Sequence, residues 1–384
     1  MIQKVADRAD KIQPSITLKI SSIAKELSKK GRKVIDMSVG EPDFSTPSHI
    51  IQAAWQAMKE GKTFYTPTRG VPELLDAIAE KLKNENKIEI GSENIIVTPG
   101  AKYAIFEAIM TLVERGDEVI LLDPSWVSFE ACVMLAGGKP IWVKHCDDFQ
   151  DAPIEDYVGR KTKLIIINTP NNPLGVVYSK NFLKKVADLA IDKNIFVLSD
   201  EIYEKIVYES EHVSLASLDE EMLDRTITIN GFSKTFSMTG WRLGYAAAPK
   251  WVIEKMSRIQ SHSVSHPTSF VQYAGIAALK GDMGFIKEIV SRYRRKRDIL
   301  KKKLEEFGIQ YAPPLGTFYM FIKINADSLK FCEEILKEEY IALTPGSAFG
   351  KSYNEWVRIS YATSDDNLLE FLNRFGRFLD KYLR

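Results

Sequence analysis

KLIIINTPNNPLG (163–175), NIFVLSDEIYE (194–204) and RTITINGFSKTFSMTGWRLGY (225–245) decide the fold. Each opens with a short β-branched run and ends in polar or turn-forming residues. A helical pattern near 181–193 separates the first two. Continuously apolar strands between amphipathic helices imply a buried, mostly parallel sheet covered on both faces. Toward the N-terminus, ENIIVTP (93–99) and EVILLD (118–123) are further strands, with a helix, AKYAIFEAIMTLVE (101–114), between them. Toward the C-terminus the pattern changes near residue 285. A long charged helix (285–306), strands at 317–323 and 356–361 and a last helix (365–383) follow. The expected class is α/β: a mostly parallel central sheet flanked by helices, with a smaller α+β domain. The expected division is an N-terminal arm with part of the small domain (1–45), a large ligand-binding domain (46–284) and a small C-terminal domain (285–384).

Composition excludes several functions. The 52 basic and 51 acidic residues leave a net charge of +1, with no charged tail to attract nucleic acid. Cys132, Cys146 and Cys332 show no C-x-x-C spacing, which argues against a disulfide framework or a zinc site. The five histidines form no metal-binding motif, so structural or surface roles are expected and no metal. The first residues, MIQKVADRADKIQPS, lack the apolar stretch of a signal peptide, and no apolar run approaches the roughly 18 residues of a membrane span. A cytoplasmic protein without a membrane partner is expected.

Ligands of open α/β sheets collect beyond the carboxyl ends of the strands. There the sequence places Gly100, Ala101 and Lys102, then Trp126, Asn172, Asp200, Tyr203, Lys234 and Arg242. This set suits a planar, phosphorylated, cationic aromatic. The helix N-terminus opened by Gly100 offers backbone N–H groups to a phosphate, and Arg242 adds a fork to the same anion. Asp200 would keep a ring nitrogen protonated. Asn172 and Tyr203 would bond a ring oxygen, and Trp126 would stack on the ring. Lys234 would form a Schiff base once its pKa is lowered. Taken singly, each has an ordinary structural reading: Asp200 a helix cap, the Asn-Pro-x-Gly stretch a turn, Trp126 core, Lys234 and Arg242 solvated charges. Their joint occurrence at successive strand ends favours a site.

Six stretches, SVGEPDFSTP (38–47), YTPTRGVPEL (65–74), TPNNPLG (169–175), SDEIYE (199–204), SKTFSMTGWRLGY (233–245) and VRISYATS (357–364), span nearly the whole chain. In this order they resemble the fold-type I pyridoxal-phosphate (PLP) enzymes, class I/II aminotransferases, and most closely the bacterial and archaeal aspartate aminotransferase branch. The resemblance implies PLP held by the large domain and Lys234 as its Schiff-base lysine. It implies Asp200 at the pyridine nitrogen, Asn172 and Tyr203 at the ring hydroxyl, Trp126 on the ring face, and Gly100, Ala101, Lys102, Ser233 and Arg242 around the phosphate. Arg358, helped by Asn172, would grip the substrate α-carboxylate, with Gly40 and Trp126 beside the substrate. Tyr65 would reach the phosphate of a neighbouring subunit in a homodimer with shared sites. The implied reaction is a ping-pong transfer between an L-amino acid, aspartate first, and a 2-oxo acid, 2-oxoglutarate. An aromatic aminotransferase and a β-lyase on the same fold are the alternatives.

Two departures stand out. Gly231 occupies a position where many relatives carry a phosphate-binding serine, and Ser233 is not an obvious replacement. Leu174 replaces the usual threonine of Asn-Pro-Thr-Gly. The arginine that some aspartate aminotransferases lend from the partner aligns with Gln260, so Ser15 and Thr17 of the N-terminal arm become candidates for recognising a dicarboxylic substrate.

Overall fold

The computed structural model describes residues 5–12 and 16–382. In chain order its strands are β1 (Ile35–Asp36), β2 (Ile95–Thr98), β3 (Glu118–Asp123), β4 (Lys139–Lys144), β5 (Thr162–Asn168), β6 (Phe196–Asp200), β7 (Thr226–Gly231), β8 (Gly244–Ala247), β9 (Tyr319–Lys323), β10 (Ile341–Ala342), β11 (Thr344–Pro345) and β12 (Trp356–Ser360). Seven of them form one sheet in the order β2-β8-β7-β6-β5-β3-β4. All neighbours from β7 to β4 run parallel, and only β8 runs antiparallel to its neighbours. Alternate residues enter opposite cores: Ile120, Ile165, Ile167 and Val197 on one face, Leu121, Leu164, Ile166 and Leu198 on the other. Both faces are therefore dry, which is why these strands are apolar throughout rather than alternating.

A further core joins the two ends of the chain. Ile20, Ala24, Ile35 and Met37 pack with Phe318, Met320, Ile341, Val357 and Phe371. There β1 pairs in parallel with β10, and β12 lies between β11 and β9. Beyond Met37 the chain crosses to the large sheet, so residues 38–46 span from one core to the other. The long helix Gly284–Glu306 and the last helix, Asp365–Tyr382, match their expected spans closely. None of the described helices is long and apolar enough to cross a membrane.

One buried carboxyl stands outside this order. Glu107, on the helix Ala101–Leu112, is fully buried and neither carboxyl oxygen has a hydrogen-bond partner. Burial pushes its carboxyl up to about 8. The native state then keeps a proton that the unfolded chain releases near pH ~4.3, so this residue lowers stability progressively as pH rises through that window. Glu107→Gln removes the term. Its melting temperature is expected to gain on the parent as pH climbs from about 4.3 to about 8, then hold a constant lead. Thermal melts of both proteins across that range check this, and a pH-independent difference would refute it.

Candidate active site

Because β2, β3, β5, β6 and β7 all point the same way, their carboxyl ends share one edge of the sheet. Asp123, Asn168, Asp200 and Gly231 are the terminal residues of four of these strands. Over this edge lies a cleft of about 440 Å³, lined among others by Trp126, Asn172, Asp200, Tyr203, Lys234 and Arg358. Gly40, Ala101, Lys102, Ser233 and Arg242 also line it. The structure thus brings together every expected site residue except Gly100, which adjoins it, and Tyr65. Tyr65 is 91% exposed and meets His266 edge-on, away from this cleft.

Lys234 lies in the loop after β7, and its Nζ donates to the Gly40 carbonyl at 2.6 Å. Burial lowers its pKa to about 8, helped by the Arg358 and Arg242 charges and opposed by Glu41 and Asp200. A useful fraction of the amine is therefore neutral near physiological pH, as a nucleophile and proton acceptor requires. Arg358, on β12, is buried; its Nη1 donates to Asn172 Oδ1 at 2.9 Å and its Nη2 to the Ser38 carbonyl at 2.5 Å. Its Nε has no partner, and its guanidinium rests on the rings of Tyr319 and Phe349, 4.4 and 5.0 Å from their centroids. Its hydrogen-bond acceptors are an amide, a carbonyl and a hydroxyl, with no carboxylate among the described residues. A buried cation held only by neutral groups is a receptor for an anion.

Asp200 ends β6 at the centre of the edge. Burial raises its pKa to about 7; the neighbouring Glu201 adds to this, while the Ile202 N–H and Lys234 oppose it. An aspartate in this state is completed by a cation placed against it. Asn172 is held through its backbone, which donates to Asn168 Oδ1 at 2.8 Å, while Asn168 Nδ2 donates to the Asp200 carbonyl at 3.0 Å. Behind Asp200 lies a buried polar network. Glu201 accepts from Ser199 and Ser214 at 2.8 and 2.6 Å, and His212 Nε2 lies 3.0 Å from it. Glu204 pairs with Lys81 in the same network. His212 is thus neither a lone surface histidine nor isolated from carboxylates, although the network already holds its cation in Lys81.

At the other end of the cleft, Gly100 has φ +87° and begins the helix Ala101–Leu112. A Cβ on Gly100 would lie 2.4 Å from Arg242 Nη2, so the absence of a side chain is what lets the guanidinium reach the helix N-terminus. Arg242 is held by the carbonyls of Thr239 and Pro99, at 2.8 and 3.3 Å. Lys102 lies 4.9 Å above the Trp126 ring. Two cations and a helix N-terminus form a cradle for an anion. Gly231 does not merely lack a hydroxyl here. It pairs with Gly244, and a Cβ on it would stand 2.9 Å from the Gly244 Cα.

Sequence reasoning missed Tyr319, Phe349 and Ser38. Tyr319 sits in an apolar run that reads as core, Phe349 is a lone aromatic in the turn-like stretch TPGSAFGKS (344–352), and Ser38 contributes only its carbonyl. Gln260 is fully buried and donates to the carbonyls of Thr68 and Val97 at 2.6 and 2.9 Å, so it is committed within its own chain. Ser15 and the side chain of Thr17 lie outside the described residues.

A buried lysine, a buried carboxyl, an anion cradle and a guanidinium without a carboxylate partner thus share one cleft. The chain belongs to the aminotransferase class I and II family, whose model matches residues 32–375. It is a PLP-dependent aminotransferase of fold type I. It is similar to the aspartate aminotransferase of Bacillus subtilis (strain 168), with 42% identity over 99% of this chain and 100% of that protein. Aromatic-amino-acid aminotransferase 2 of Thermococcus litoralis is 40% identical over 98% of each chain. The solved structure of Thermus thermophilus aspartate aminotransferase with maleate matches with a TM-score of 0.95 and 37% identity, over 98% of this chain and 100% of that one.

The residues present fit PLP. The anion cradle at Gly100 and Arg242 suits its phosphate, and the buried Asp200 carboxyl suits a protonated ring nitrogen.

Proposed function

We propose that the protein moves an amino group from L-aspartate to 2-oxoglutarate by a ping-pong reaction, with Lys234 as both cofactor anchor and proton carrier. The observation that carries this is the pairing, in one cleft, of the buried Lys234 amine with the buried and unpaired Arg358 guanidinium. When bound, PLP supplies the carbon that receives the amino group and a ring that spreads the charge left on the substrate Cα. Arg358 grips the α-carboxylate, with Asn172 bracing the guanidinium and Gly40 and Trp126 flanking the substrate. This orients the Cα–H bond toward Lys234. Lys234 takes that proton and later returns it. Asp200 would hold its charge against the cofactor's ring nitrogen, Tyr203 and Asn172 would donate to its ring oxygen, and Trp126 would cover one face. Ala101, Lys102, Ser233, Arg242 and the turn at Gly100 would surround its phosphate.

Residues 46–284 form the cofactor-binding domain in this reading, and 1–45 with 285–384 the smaller one, with a cytoplasmic location. The exposed Tyr65 supports a homodimer in which it reaches the partner's phosphate. The aspartate reading rests on relatives that are named for aspartate. The aromatic reading rests on relatives of equal similarity that are named for aromatic amino acids.

An absorbance spectrum of PLP-loaded protein tests both. L-aspartate without an oxo acid is expected to bleach the lysine-bound cofactor's visible band, and 2-oxoglutarate to restore it. Bleaching by L-tyrosine or L-phenylalanine but not aspartate would transfer the assignment to the aromatic class. Release of pyruvate and ammonia from a β-substituted amino acid, with no oxo acid needed, would mark a β-lyase instead.

A further inference from the structure

Tyr319 opens β9 and is fixed from behind. Two residues earlier, Thr317 holds a left-handed backbone, φ 62°. That is a strained conformation for a β-branched residue and persists only where its surroundings enforce it. Its carbonyl accepts from the phenols of Tyr361, at 3.2 Å, and Tyr208, and its amide donates to the Ile206 carbonyl at 2.8 Å. Its Oγ1 accepts the Tyr319 N–H at 3.0 Å. Tyr319 is therefore seated rigidly.

From that seat it touches three parts of the site. On the sheet it pairs with Ser360, so Arg358, two residues away on β12, is its diagonal neighbour on the same face. The guanidinium carbon lies 4.4 Å from its ring centroid. Its hydroxyl is 2.8 Å from the Tyr203 hydroxyl. The same hydroxyl would lie 2.4 Å from a Cβ on Gly40, whose carbonyl receives Lys234. Glycine at 40 is thus required by the phenol.

We propose that Tyr319 is a positioning residue: its hydroxyl fixes the direction of the Tyr203 hydroxyl, and its ring seats the Arg358 guanidinium. This rests on the reading above, in which Tyr203 donates to the cofactor's ring oxygen. Two hydroxyls in contact share one proton between them. If Tyr203 spends its proton on the ring oxygen, Tyr319 must be the donor within the pair. A Tyr203 that accepts from Tyr319 is a better donor outward, because bonds in a chain polarise one another.

The test uses PLP-loaded parent, Tyr203→Phe, Tyr319→Phe, Tyr319→Leu and the Tyr203→Phe/Tyr319→Phe double variant. The visible band of the lysine-bound cofactor is titrated against pH, and KM for the amino acid is measured. A donor to the ring oxygen stabilises the deprotonated form, so losing it raises the midpoint. Tyr203→Phe is expected to raise the midpoint most, and Tyr319→Phe by roughly 0.5 pH unit, a fraction of one charge-assisted hydrogen bond. In the double variant Tyr319→Phe adds nothing, because its route runs through Tyr203. Tyr319→Leu, but not Tyr319→Phe, is expected to raise KM about tenfold through the lost ring beneath Arg358. A Tyr319→Phe midpoint equal to the parent's, with Tyr203→Phe shifted, overturns the proposal while leaving the function standing. Additive midpoint shifts overturn it as well. A parent with no such band sinks the proposed function, and this inference with it.

Discussion

Lys234→Ala protein is expected to lose turnover by roughly four orders of magnitude or more, the upper end of what a positioned general acid–base supplies. The amine stands alone in its place: buried, held on the Gly40 carbonyl at 2.6 Å, and lowered to about 8 by burial together with Arg358 and Arg242. Among the described residues the only other lysine lining the cleft is Lys102, which lies over Trp126. In the proposed reaction alanine removes the covalent anchor and the proton carrier together. Borohydride reduction of the PLP-loaded parent should fix the cofactor to the peptide containing Lys234, and the variant should show no adduct. A variant turning over within tenfold of the parent would remove Lys234 from the mechanism.

Arg358→Lys is expected to lower kcat/KM for the amino acid by about 10- to 10²-fold, the cost of losing one charge-assisted hydrogen bond of the fork. Lysine keeps the charge but not the fork. It cannot hold Asn172 and Ser38 while meeting both oxygens of a carboxylate. PLP affinity should change little, because in the proposed site the cofactor's phosphate would be held by Arg242 beside Gly100. Steady-state kinetics beside a cofactor titration separate the two effects. If both fell together, Arg358 would be supporting the cleft as a whole.

The central strands were legible because burial on both faces makes them apolar throughout, and each ends in a chemically distinctive residue. Strand β8 was not legible. Its residues, Gly244, Tyr245, Ala246 and Ala247, have poor strand propensity apart from the tyrosine, and pairing with β2 and β7 on either side supplies the order. Asp200, Lys234 and Arg242 stand out in the sequence by type and by their place after a strand, and all three line the cleft. Tyr319 does not stand out, since an aromatic in FYMFI looks like core until the register sets it diagonal to Arg358. Gln260 shows the reverse gap. Alignment gives its identity, but only the structure shows its amide turned into its own chain.

Gly231, Gly244 and the start of the helix at Ala101 fit against one another like stacked plates. A Cβ on Gly231 would stand 2.9 Å from the Gly244 Cα, and one on Gly244 would stand 2.3 Å from the Ala101 nitrogen. The consequence is a mechanical coupling across three segments. A serine at 231 would push on backbone rather than on a side chain that can swing aside, so the strain would pass through Gly244 to the helix N-terminus. In the proposed site, a change at 231 would therefore be felt where the cofactor phosphate would sit, although Gly231 itself offers that phosphate nothing.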